Sequence, residues 1–133
     1  MDKRKILIVE DDEDFASAVK SILEANSYLV RHATNREEAC RMVEEDKPDL
    51  IILDIMMERL NDGFVLCSQF KNDPEYRDIP ILAVSAITAK TGFKFSPQTD
   101  GEYFKADDYV EKPVMAVDLL KRVERLLEKE EGK

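Results

Sequence analysis

The sequence has no long apolar run, no tract rich in glycine, serine and proline, and no cluster of cysteine or histidine. Its longest apolar stretches, such as Ile6 to Val9 and Leu50 to Leu53, fall far short of the about 20 residues that span a bilayer. No signal-type apolar segment follows Met1-Asp2-Lys3-Arg4, so a cytoplasmic setting is expected. Cys40 and Cys67 are widely separated and lack metal-type spacing, which argues against a disulfide framework or a cysteine metal site. Both are expected to be small buried hydrophobes in a reducing compartment. The one histidine, His32, falls in a strand candidate; it is expected at the surface or partly satisfied, rather than as a phosphate carrier or ligand. Positive charge is also short: the formal net charge of -9 opposes unaided contact with nucleic acid phosphates or anionic lipid. Neither is expected as a direct partner. What remains is a globular composition, 44% hydrophobic and 37% charged over 133 residues, expected to form one domain over residues 1–133.

Short apolar runs alternate with amphipathic stretches along the chain, the pattern of βα units feeding a parallel sheet. Lys5 to Val9 reads as a buried strand, and Phe15, Val19, Ile22 and Leu23 then recur at helical spacing behind Asp12, a candidate N-cap. Tyr28 to Ala33 is the second strand candidate. Asn35 and Glu38 stand in a capping-box-like relation before Ala39, Met42 and Val43, in a helix ending near Lys47-Pro48. Leu50 to Leu53 is continuously apolar, as in a strand covered on both faces. Gly63 precedes a helix carrying Phe64, Cys67 and Phe70, which Asp73-Pro74 stops. Pro80 to Val84 and Tyr109-Val110 supply strands four and five, and Val117, Leu120, Val123 and Leu127 the apolar face of the last helix. Between Ser85 and Asp108 the chain is expected to be partly irregular, because Gly92, Pro97 and Gly101 interrupt it and Phe93, Phe95, Tyr103 and Phe104 load it with aromatics. Right-handed crossovers between five such units predict an α/β fold, a doubly wound five-stranded parallel sheet. The strand order 2-1-3-4-5 is borrowed from a common class of these sheets.

Ligands of open α/β sheets bind beyond the carboxyl ends of the strands. There the chain is acidic: Glu10, Asp11 and Asp12 follow strand one, and Asp54 follows strand three. Ser85 closes strand four and Lys112 follows strand five. Neighbouring carboxylates without a counter-charge would raise at least one pKa, and a hard cation resolves the conflict. Magnesium suits the set, since it takes a few carboxylate oxygens and keeps open positions for phosphate, whereas calcium prefers more oxygen ligands. A carboxylate can attack phosphorus to give an aspartyl phosphate if the charge on the transferring oxygens is neutralised, a task for magnesium and the Lys112 ammonium. Ser85 can donate its hydroxyl to a phosphoryl oxygen, and Lys112-Pro113 is expected to be a cis peptide. Singly, these residues have ordinary readings as helix-terminus acids, turn serines or loop lysines, and Asp12 belongs there. Four strand ends carrying acid pair, acid, hydroxyl and ammonium in that order favour chemistry.

With Ile6-Leu7-Ile8-Val9-Glu10-Asp11-Asp12, Leu53-Asp54-Ile55-Met56-Met57, Val84-Ser85-Ala86 and Asp107-Asp108-Tyr109-Val110-Glu111-Lys112-Pro113, the chain resembles the receiver domain of bacterial response regulators over nearly its whole length. The resemblance implies a flavodoxin-like, CheY-like three-layer sandwich and a two-component phosphorelay role. It implies that Asp54 is the phosphoacceptor, that Glu10, Asp11, Asp54 and the Met56 backbone carbonyl hold Mg2+ or in its place Mn2+, and that Ser85 and Lys112 contact the phosphoryl group. Tyr109 is implied as the aromatic that turns inward on switching. A sensor histidine kinase or histidine phosphotransfer protein would be the donor, a downstream protein the target, and the face of strands four and five a possible homodimer contact. The chain departs from the family pattern at Glu10, where aspartate is commoner, at Glu58, where proline is usual in a stretch one residue longer, and in its long Ser85 to Lys112 interval. Two alternatives stay open: a receiver-like interaction module that does not switch, and a haloacid-dehalogenase-type phosphatase, for which Asp54-Ile55-Met56 lacks the second acid. On the favoured reading the chain is a self-modifying switch, not a turnover enzyme.

Overall fold

Lys5–Val9 (β1), Leu29–Ala33 (β2), Leu50–Asp54 (β3), Ile81–Ser85 (β4) and Asp108–Glu111 (β5) pair in parallel in the order β2-β1-β3-β4-β5, in a computed structural model that describes residues 3–54, 62–85, 106–112 and 114–131. Helices α1 (Glu13–Ala25), α2 (Arg36–Glu45) and α3 (Asp62–Lys71) connect the early strands, and α4 (Ala116–Glu131) follows β5. The expected strand order is the observed one.

Alternation along each strand sends successive side chains to opposite faces. Leu7, Val9, Ile51, Leu53, Ile81 and Ala83 pack with Ala39 and Val43 of α2 and Leu66, Cys67 and Phe70 of α3. Ile6, Ile8, Leu50, Ile52, Leu82 and Val84 pack on the other face with α1 and α4. Two helical layers therefore cover the sheet, and β3, buried along its whole length, needs no polar alternation. No helix among the described residues is long and apolar enough to cross a membrane.

Local signals place the elements to within a residue or two. Asp12 caps α1, its Oδ1 accepting from the Phe15 N–H at 3.1 Å. Asn35 caps α2 through the Glu38 N–H at 2.8 Å, while Glu38 Oε1 accepts from the N–H of Thr34, one residue before the cap. Asn35→Ala should therefore cost about 1 kcal/mol, read as a lower midpoint in urea denaturation; an unchanged midpoint would mean the cap contributes nothing. β4 starts at Ile81, not Pro80, because proline has no N–H to give, although the Pro80 carbonyl still accepts from the Ile51 N–H at 3.0 Å. β2 likewise starts at Leu29, not Tyr28.

The apolar face expected for the last helix is rotated. Leu119, Val123, Leu126 and Leu127 are buried, whereas Leu120 is half-buried and Val117 is 66% exposed. Val123 and Leu127 fit both stripes, and the buried face is the one that carries Leu119 and Leu126. Cys67 is buried as expected; Cys40 is only half-buried, and both are free thiols. The side chain of Phe64 and nearly all of the interval between Ser85 and Asp108 lie outside the described residues.

Candidate metal centre

Parallel register brings the acids level. β1 and β3 align Val9 with Leu53, so Glu10, just beyond β1, and Asp54, the last residue of β3, meet at the same end of the sheet. Both are buried, at 1% and 2% exposure, and Asp11 is half-buried. One carboxylate oxygen from each of the three lies within 4.8 Å of the others. Asp11 also lines an open recess with Asp12, Asp14, Thr34 and Asn35.

Lys112 reaches the cluster from beyond β5. Its Nζ stands 2.8 Å from Glu10 Oε1 and 3.6 Å from Asp54 Oδ2. The ammonium also sits 4.3 Å from the centroid of the Phe15 ring, a cation–π contact that shields it from water. Glu10 is gripped a second time, its Oε2 accepting from the Asp12 N–H at 3.2 Å.

The electrostatics decide what such a pocket can hold. Burial, then the hydrogen bond and charge of Asp54, push the Glu10 carboxyl up from 4.5 to about 8, against the opposing pull of Lys112. Burial alone would lower the Lys112 ammonium, but Glu10 and Asp54 outweigh it and hold it above the usual lysine value. Near neutral pH Glu10 therefore keeps a proton that an exposed glutamate would have lost. Three hard oxygen donors that cannot all ionise cheaply suit a hard divalent cation, which would displace that proton.

Other residues singled out by sequence are placed unevenly. Ser85 ends β4, one residue past Val84, which pairs with Asp54; its side chain, the Met56 carbonyl and the Pro113 peptide lie outside the described residues. Tyr109 lies half-buried against the α2–α3 core, and burial raises its hydroxyl pKa. Its backbone is held by Arg122 of α4, which donates to the Tyr109 carbonyl at 3.0 Å and to Asp108 Oδ1 at 2.8 Å. In the sequence Phe15 reads only as part of the apolar face of α1. Its position three residues past the Asp12 cap, in the first turn beside the strand tips, was the available signal. His32, expected at the surface or partly satisfied, is half-buried, with its Nε2 2.7 Å from the Glu10 carbonyl oxygen.

Comparison with known proteins points one way. The family model for the response regulator receiver domain matches residues 6–124. Response regulator MprA of Mycobacterium leprae is 37% identical over 123 residues, which are 92% of this chain and 50% of that protein. The chain thus spans about half the length of the curated relatives it matches. Among solved structures, a putative response regulator from Chloroflexus aurantiacus superimposes with a TM-score of 0.83 at 30% identity, over 95% of this chain and 98% of that one. The receiver domain of a signal transduction histidine kinase from Syntrophus aciditrophicus does so with a TM-score of 0.79 at 36% identity, over 95% and 91%.

Proposed function

The chain belongs to the response regulator receiver domain family, and from that premise we propose that it is a phosphorylation switch in which Asp54 accepts a phosphoryl group. The observation that carries the reading is the convergence of Glu10, Asp11 and Asp54 within 4.8 Å under the Lys112 ammonium, 3.6 Å from Asp54 Oδ2. Glu10, Asp11 and Asp54 are the ligands for magnesium, or manganese in its place, with the Met56 carbonyl added by family resemblance. The bound cation supplies the positive charge that lets the carboxylates ionise together and offsets charge on the transferring oxygens. An Asp54 carboxylate oxygen forms the new bond to phosphorus as the bond to the donor breaks and its electron pair leaves with the leaving group. Lys112 faces that oxygen and steadies the product charge.

Ser85, ending β4, is assigned the hydroxyl contact to the phosphoryl group, and Tyr109 the part of reporter on β5. Added charge at Asp54 then shifts a pre-existing equilibrium at the β4–β5 face and with it affinity for a downstream protein or a second copy of the chain. The proposed donor is a sensor histidine kinase or histidine phosphotransfer protein. Residues 1–133 act as a single receiver domain in the cytoplasm, without direct contact to nucleic acid or membrane and without turnover of a separate substrate.

Incubation with a small-molecule phosphodonor and magnesium, followed by intact mass measurement, tests the reading. The wild-type chain should gain one phosphoryl group and Asp54→Asn none. Labelling that persists in Asp54→Asn would remove Asp54 from the mechanism.

A further inference from the structure

His32 sits in β2, the strand at the sheet edge beside β1, and its ring makes one close polar contact. Nε2 lies 2.7 Å from the backbone carbonyl oxygen of Glu10. A carbonyl only accepts, so Nε2 carries the proton and the imidazole donates. Glu10 is thereby tied to β2 through both of its main-chain groups, since its N–H donates to the Ala33 carbonyl at 3.0 Å. In a regular parallel ladder the partner of the Glu10 carbonyl would be an amide further along the neighbouring strand. There the chain has already left β2, and Asn35 caps α2. The histidine ring supplies the donor that the strand no longer offers.

The contact bears on the site because Glu10 is its least constrained ligand candidate by chemistry, having one more rotatable side-chain bond than Asp11 or Asp54. Its carboxylate is aimed by Asp12 and Lys112, but those contacts fix a position only if the main chain behind them is fixed. We propose that His32 is a positioning residue, whose Nε2–H pins the Glu10 main chain at the tip of β1 and so sets where the Glu10 carboxylate stands for cation binding. The consequence for cation binding rests on the metal reading above; the pinning rests on the His32–Glu10 contact alone.

Nitrogen NMR of the ring, hydrogen exchange of the Asp12 amide and a magnesium titration followed by amide shifts test this together. In the wild-type chain Nε2 should be protonated and Nδ1 bare. In His32→Phe, which keeps a ring but loses the donor, Asp12 exchange should quicken and magnesium half-saturation should rise, each about fivefold, the worth of one hydrogen bond. His32→Gln can still donate and should return both to within about twofold of wild type; it and the wild-type tautomer serve even if His32→Phe folds poorly. A protonated Nδ1 with bare Nε2, a wild-type-like His32→Phe, or a His32→Gln as impaired as His32→Phe would overturn the proposal. No magnesium response in the wild-type chain would defeat the metal reading instead, and Asp12 exchange would then decide the role of His32 by itself.

Discussion

Lys112→Met should slow phosphorylation of Asp54 by about 100-fold or more, the loss typical when one preorganised charge-stabilising group is removed. Methionine keeps an unbranched stem of similar length and deletes the ammonium, which lies 2.8 Å from Glu10 and 3.6 Å from Asp54. Two effects add. The phosphoryl oxygens lose the Lys112 ammonium, and Glu10 loses the hydrogen bond and charge with which Lys112 pulls its carboxyl down, so it clings harder to the proton that a metal ion must displace. Lys112→Arg keeps the charge but spreads it over a planar fork that cannot reproduce a point ammonium, and should recover only part of the rate. The rate of phosphoryl incorporation from a small donor at saturating magnesium, followed by intact mass, is the measurement. A Lys112→Met rate within about threefold of wild type would show that the ammonium is not used in the transition state.

That pocket was legible because of where its residues stand relative to apolar runs. Leu50 to Leu53 reads as a strand buried on both faces, which puts Asp54 at its tip. Val9 likewise delivers Glu10 and Asp11. Parallel register then does the rest, since Val9 opposite Leu53 leaves no choice about which acids meet. What sequence could not supply was orientation about a helix axis and contacts made through rings. Val117 and Leu119 are both apolar and either could begin a stripe; packing against the sheet buries Leu119 and leaves Val117 exposed. Phe15 was correctly placed on a helix face, but a hydrophobic pattern does not say that its ring will lie against an ammonium from the far end of the chain. His32 is harder still. Its partner is a backbone carbonyl, which has no residue signature, and β2 stops at Ala33, with two residues left before α2 begins.

In the metal-free protein, stability should fall as pH rises from about 5 to about 9, and saturating magnesium should remove most of that slope. Glu10 titrates at 4.5 in the unfolded chain and at about 8 in the fold, so the folded state binds its proton more tightly. Below the unfolded value both states are protonated and the contribution is fully present. Between the two values the unfolded chain has released the proton and the fold has not, which erodes stability by up to about 1.4 kcal/mol per pH unit. The contribution is gone once pH passes the folded value, a total on the order of a few kcal/mol. Glu10→Gln keeps a neutral side chain of the same length and should flatten the curve, leaving the metal-free fold steadier than wild type at alkaline pH. Magnesium must bind ionised Glu10, so it competes with the proton and should stabilise the fold far more near pH 9 than near pH 5, by about 2.7 kcal/mol at a hundredfold excess over its dissociation constant, read as a higher urea midpoint. Equal slopes for wild type and Glu10→Gln would place the buried proton elsewhere. A magnesium effect that does not grow with pH would mean that the cation and the Glu10 proton do not share a site.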